Sequence, residues 1–300
     1  MNLRELRKIL ELYNPWWRDP RWHQRDTLLR DFFNSVLKQE PRLYYHLRRR
    51  IAEPGAYGII TIRGPRRVGK TTLIKLIIKY LIEEKKVDPL SIFYISLDYE
   101  GISDVRLVKL LETIAVSSNN EKYVFLDEAS MYPGWAQALK NLYDMGLIES
   151  GRMKIIAAGS HSMDLAEAAS KLRGRQGNLA GLFNLGGNLV HVPLRFSEVV
   201  EALRAEINTF LSALKLRKPG IRFEILKELA RGNIHSLLYK IYEEYFQLLQ
   251  TVFEDYLLHG GYPKAIDEYY KNEYIGKKFC RDLADYHVKH YVRSELDAKY

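Results

Sequence analysis

Two glycines five positions apart, Gly64 and Gly69, interrupt the chain between an apolar run, YGIITIR (57–63), and a stretch of helical periodicity over 71–84. Few folds accommodate that sequence of events. A strand buried on both faces ends, the backbone turns where a Cβ is an obstacle, and a helix starts within a few residues. Such a turn points consecutive N–H groups inward with the positive end of a helix dipole behind them, a ready cradle for phosphate oxygens. The run Gly64-Pro65-Arg66-Arg67-Val68-Gly69-Lys70-Thr71 has the Walker A spacing, G-x-x-x-x-G-K-[ST], and Thr72 carries it into the helix. In this pattern Lys70 reaches the β/γ-phosphates and the Thr71 hydroxyl ligates Mg²⁺. The expected ligands are ATP and Mg²⁺, with GTP left open as the nucleotide.

Four further short apolar runs follow: SIFYISL (91–97), KYVFLD (122–127), MKIIAAG (153–159) and NLVHVPL (188–194). Helical periodicity separates most of them, which predicts a parallel α/β sheet with both faces covered. After Pro193 every segment is helix-like, and Gly260-Gly261 followed by Pro263 predicts a helix stop. Upstream, residues 3–13 have helical spacing that NPWW interrupts, and 26–50 read as one more amphipathic helical stretch. The expected organisation is an N-terminal helical arm (1–56), a P-loop core (57–195) and a C-terminal all-helical domain (196–300).

With 47% apolar and 28% charged residues, the composition is that of a folded globular chain. No apolar run approaches the roughly 20 residues of a membrane span, and the N-terminus lacks a secretory apolar region. The lone Cys280 excludes an internal disulfide framework and fits a reducing, cytoplasmic setting. The net charge of +9 is uneven, since residues 1–56 carry 12 Lys/Arg against 7 Asp/Glu. That excess, with Arg48, Arg49 and Arg50, admits a nucleic-acid partner or simply a solvated surface. Trp16, Trp17 and Trp22 beside Arg18 and Arg21 could stack bases, but anchoring the arm onto the core is the preferred reading.

Hydrolysis needs more than a cradle. In KYVFLDEAS an apolar strand runs into Asp127-Glu128, the Walker B pattern: Asp127 is placed to serve Mg²⁺, and Glu128 to orient and deprotonate a water in line with the γ-phosphate. A small-molecule kinase has no use for that second carboxylate. The strand MKIIAAG runs into Ser160, whose hydroxyl is a candidate γ-phosphate sensor, with His161 beside it read as incidental. In KLRGRQGN, Arg175 or Arg173 is a candidate for the additional transition-state cation, from the same chain or a neighbouring copy. Asp98, ending the second strand, is a weaker candidate near the metal. His287 and His290 lack the glutamate of a zinc-protease motif and read as surface residues.

Taken in order, GPRRVGKTTLIK, FLDEASMYPGWAQALKNLYD, AAGSHSMDL, LRGR, PLRFSEVV and YLLHGGYPKAI resemble the archaeal and bacterial AAA-like, STAND-related P-loop ATPases with a C-terminal domain of unknown function. The likeness runs from about residue 57 to the end, and the NPWW arm looks like archaeal members. It implies a sheet of spatial order 5-1-4-3-2, in which the sensor strand lies between the Walker A and Walker B strands. It places Gly69, Lys70 and Thr71 on the nucleotide, Asp127 and Glu128 on magnesium and water, Ser160 at the sensor position and Arg175 at the family's Gly-Arg motif. His161 departs from the usual serine run. Family members continue past CRDLADYHVKHYVRSELD into another domain, so an effector portion is expected to be missing here, or the chain is a short member.

The expected function is Mg²⁺-dependent ATP hydrolysis by in-line water attack. The alternative is a nucleotide-controlled interaction switch with slow or no turnover. Expected partners besides ATP are an unidentified protein, further copies of the chain assembling on nucleotide, and, less strongly, nucleic acid. A membrane is not among them.

Overall fold

The computed structural model describes residues 3–98, 106–160, 170–181, 187–216 and 218–285, with side chains from residue 8 onward. The positions of His161, His287 and His290 lie outside the described residues. Five strands form one sheet: β1 (Gly58–Arg63), β2 (Ile92–Ser96), β3 (Lys122–Asp127), β4 (Met153–Gly159) and β5 (Asn188–Val190). Every pairing is parallel, in the order β2-β3-β4-β1-β5, which is the expected 5-1-4-3-2 read from the opposite edge. The fifth strand is shorter than its apolar run. Pro193 has no N–H to continue a ladder, and the last bond to β1 is from His191 N to Arg63 O, 2.7 Å.

Alternate residues of each central strand go to opposite faces, and each face has its own apolar cluster. On one face Ile59, Val124, Leu126, Ile155 and Ala157 pack with Leu110 and Leu111 of helix Leu107–Ala115 and Leu139 of helix Trp135–Asp144. On the other, Ile60, Ile62, Phe125, Ile156 and Ala158 pack with Leu73, Ile74 and Ile77 of helix Lys70–Glu83. The β-branched runs thus make strands because both of their sides find helices to bury against.

The edge strand β2 is closed by the N-terminal segment. Helix Leu3–Tyr13 ends at Asn14, before Pro15. The Asn14 side chain then acts as one residue of a missing strand: Tyr94 N donates to its Oδ1 (2.6 Å), and its Nδ2 donates to Tyr94 O (3.0 Å). The indole N–H groups of Trp16 and Trp17 both donate to Ile92 O, at 3.2 and 2.9 Å. An exposed β edge is a template for unwanted pairing, and this segment covers it. Trp16 and Trp22 are buried, 3% and 2% exposed, so their rings offer no stacking face to a base.

The stretch 26–50 is two helices rather than one, Thr27–Phe33 and Arg42–Ile51. Asn34 caps the first, and Pro41 stands at the N-cap of the second. Apolar periodicity runs through both, but the chain between them leaves the sheet: by compactness the molecule divides into Met1–Asn34 with Glu40–Val192, and Ser35–Gln39 with Pro193–Tyr300. Among its described residues the second unit has helices as its regular structure, including Phe196–Leu203, Ala205–Ala213, Pro219–Ala230, Ser236–His259 and Pro263–Asn272, and an apolar cluster that contains Leu37, Val199, Ile207, Val252 and Ile266. Gly260, at φ +58°, stops the long helix as expected.

Candidate functional site

The parallel order brings the carboxyl ends of β1, β4 and β3 side by side, and the loops leaving them meet there. Behind β1 the Gly64–Gly69 loop turns against the chain leaving β5. A Cβ on Gly64 would lie 1.9 Å from the carbonyl oxygen of His191, so only glycine fits at that crossing. Arg67 and Gly69 both have left-handed backbones, at φ +65° and +98°. Left-handed residues of this kind let a loop turn its N–H groups inward, the geometry of an anion-binding nest. A Cβ on Gly69 would stand in the cradle, with only His191 Nε2 as a neighbour, 4.0 Å away. Pro65 and Arg66 rim the loop, Arg66 exposed, while Val68 is buried beneath it.

Lys70 opens helix Lys70–Glu83 and is itself buried, 5% exposed. Its ammonium donates to Gly64 O and Pro65 O, both at 2.9 Å, and so braces the loop. An ammonium has three donors, which leaves one for an anion in the cradle. Burial pushes its pKa below the usual lysine value, against the opposing pull of Glu128 and Asp127. Thr71 follows, its hydroxyl donating to Asp127 Oδ2 at 2.7 Å, and Thr72 lies half-buried in the same turn.

Asp127 is the last residue of β3 and 2% exposed. Its Oδ2 accepts a second hydrogen bond, from the Tyr94 hydroxyl at 2.8 Å, and its Oδ1 accepts from Glu128 N at 3.0 Å. Glu128 takes a left-handed backbone, φ +48°, which aims its side chain back over the sheet end. Ser160, just past β4, donates to Glu128 Oε2 at 3.0 Å. Burial raises the Glu128 pKa, Asp127 adds to the rise, and Lys70 and the Ser160 bond oppose it. A carboxyl pushed up from its usual range is a better base.

The other candidates sit elsewhere. Asp98 is exposed and accepts from Ser96 Oγ at 2.5 Å, near enough to add to the rise at Glu128. Arg175 lies beside Gln176, whose carbonyl accepts from Ile59 N at 3.2 Å, so it is at the amino end of β1. Arg63, where the loop begins, is about 16 Å further along the strand at about 3.3 Å per residue. There Arg175 Nε donates to Asp144 Oδ1 at 2.6 Å. Arg173 is exposed on the same loop.

The sequence reading missed two residues of this site, Tyr94 and His191. For Tyr94 a signal existed. Ser96 pairs with Asp127 in the β2–β3 register, and Tyr94, two residues earlier, shares that face. The parallel neighbour of the Walker B strand therefore presents a phenol diagonally to the aspartate.

Two tests on these residues bear on Mg²⁺ and a nucleotide. The cradle at Gly69 is open where a Cβ would fill it. The metal donors present are hard oxygens, the Thr71 hydroxyl and the Asp127 carboxylate. Among the described residues no group of three or more His, Cys, Asp and Glu side chains is placed to hold a metal unaided. The hydroxyl and carboxylate oxygens fit Mg²⁺, which takes one or two protein oxygens and completes its shell with phosphates and water. Among the described residues no helix is long and apolar enough to cross a membrane.

No curated protein matches the chain. Among solved structures it is similar to domain III of the Thermotoga maritima replication initiation protein DnaA, with 20% identity, coverage of 53% of this chain and 65% of that one, and a TM-score of 0.32. It is also similar to Cdc6p from Pyrobaculum aerophilum, with 14% identity, coverage of 57% and 50%, and a TM-score of 0.35. The chain therefore spans 65% and 50% of the length of those two structures. The stretch that holds every group of the site, residues 56–200, matches the family model of an AAA domain.

Proposed function

We propose that the protein binds ATP with Mg²⁺ and hydrolyses it by in-line attack of water on the γ-phosphate. One observation carries the reading: two hydrogen-bonded pairs, Thr71–Asp127 (2.7 Å) and Ser160–Glu128 (3.0 Å), stand at the sheet end beside an open glycine cradle. The loop amides and the free N–H of Lys70 hold the phosphates. Thr71 and Asp127 would hold Mg²⁺, which when bound supplies neutralisation of the developing phosphate charge. Glu128 orients a water and takes its proton. Ser160 keeps the Glu128 carboxylate in place and is the group through which occupancy of the γ-position is sensed. Arg175, remote from its own loop, is read as serving the site of a second copy.

The test is Glu128→Gln. The variant is expected to bind ATP as the parent does and to lose turnover by roughly 10²–10⁴-fold, the usual contribution of a positioned general base. Parental turnover in that variant would overturn the assignment. A parent that retains ATP and never hydrolyses it would overturn hydrolysis and leave the nucleotide-controlled switch.

A further inference from the structure

We propose that Tyr94 is a positioning residue for the Asp127 carboxylate, and that the N-terminal segment holds it in place through Asn14. The inference rests on the nucleotide reading above and deepens it.

Three donors fix Asp127: Thr71 Oγ1 and Tyr94 OH on Oδ2, at 2.7 and 2.8 Å, and Glu128 N on Oδ1, at 3.0 Å. Two of them come from the phosphate helix and from the neighbouring residue, parts of the site itself. The third comes from outside, from the edge strand β2. With both oxygens held, the carboxylate cannot rotate about its last bond, so its remaining lone pairs point in fixed directions before any metal arrives. Preorganisation of this kind removes a reorganisation cost from binding. Tyr94 is buried, so its hydroxyl meets Asp127 away from competing water.

The phenol in turn depends on where β2 lies. The backbone of Tyr94 faces the open edge of the sheet, and its N–H and C=O are both taken by the Asn14 side chain, at 2.6 and 3.0 Å. A second tie joins the same N-terminal segment to the phosphate helix. The ammonium of Lys75, one turn after Thr71, pairs with Asp26 and lies 5.9 Å from the Tyr94 ring centroid. The segment before residue 34 therefore reaches the metal carboxylate by a chain of hydrogen bonds, Asn14 to Tyr94 to Asp127. Covering a sheet edge needs only bonds to the backbone of its strand. Placing a hydroxyl on the Walker B oxygen is a separate property, and it can be removed separately.

Tyr94→Phe keeps the ring and deletes that donor. Affinity for the non-hydrolysable analogue adenylyl-imidodiphosphate is measured by calorimetry on the full chain, with Mg²⁺ titrated and again in EDTA. Loss of a hydrogen bond to a charged group predicts a roughly tenfold or larger fall in the Mg²⁺-dependent affinity, with the EDTA value within about twofold of the parent. Asn14→Asp, which keeps the acceptor for Tyr94 N and loses the donor to Tyr94 O, is expected to lower the same quantity less, and to add little in the Tyr94→Phe background. Parental Mg²⁺ dependence in Tyr94→Phe would overturn the proposal, as would equal losses with Mg²⁺ and with EDTA, the mark of a merely structural residue. A parent with no Mg²⁺-dependent affinity would instead overturn the nucleotide reading, and this inference with it.

Discussion

Glu128 carries two opposed demands in one side chain. It is desolvated and sits beside a second carboxylate, both of which favour its neutral form, while Lys70 and the Ser160 hydroxyl favour the charged one. The balance lies above the ordinary glutamate value, so the acid limb of the turnover profile is expected above the usual carboxylate range. Ser160→Ala deletes a bond to the ionised form and should move that limb to still higher pH, read from rate against pH. The same shift has a consequence for the fold. A carboxyl whose folded pKa is raised binds its proton more tightly folded than unfolded, so stability falls as pH rises from the ordinary glutamate pKa through the folded one. Glu128→Gln removes the penalty. Its melting temperature is expected to exceed the parent's at neutral pH and to converge with it in acid below the ordinary glutamate pKa, which scanning calorimetry at both pH values checks.

At the scale of elements, the crossing of the phosphate loop with the chain leaving β5 is where the fold is least forgiving. The contact is backbone against backbone, so a methyl at Gly64 cannot be relieved by a rotamer change. Gly64→Ala is expected to cost about 1–3 kcal/mol, the range for overpacking a tight site, and to weaken nucleotide binding as the loop shifts. Gly181→Ala is the control, because a Cβ there meets nothing within 4 Å. Equal thermal midpoints for the two variants would sink the argument. This crossing also marks where sequence reading stops. The strands were legible because burial on both faces leaves a continuous apolar run, and Gly64 to Thr71 because the Walker A pattern is a fixed local spacing. Why Gly64 must be glycine was not legible, since its obstacle, His191, lies far along the chain. Likewise nothing local says that Asn14 pairs with Tyr94, 80 residues away. Helical periodicity over 26–50 was real, but periodicity records burial and not chain direction, so the break between Phe33 and Arg42 left no trace in it.

On the scale of the whole molecule, the position of Arg175 turns a question of chemistry into one of assembly. The strand β1 separates it from its own phosphate loop by about 16 Å, at about 3.3 Å per residue, so no side-chain rotation brings it there. In its own chain it pairs with Asp144, and both side chains are substantially exposed, at 31% and 45%. Solvent screens an exposed pair of that kind, so it adds little to stability and breaking it is cheap. If Arg175 completes the site of a second copy, turnover must depend on two different chains at once. Lys70→Ala alone is expected to be inactive, and Arg175→Ala to lose roughly 10³-fold or more, the usual worth of an arginine supplied to phosphoryl transfer. Mixed together, the two variants should recover part of the parental rate, because each Lys70→Ala chain still offers Arg175 to a neighbour whose cradle is intact. The recovery should grow with total protein concentration, and sizing with adenylyl-imidodiphosphate should show the matching assembly. Parental turnover in Arg175→Ala would instead leave the residue as the partner of Asp144 and nothing more, and would place the transition-state charge on Lys70 and the loop amides alone.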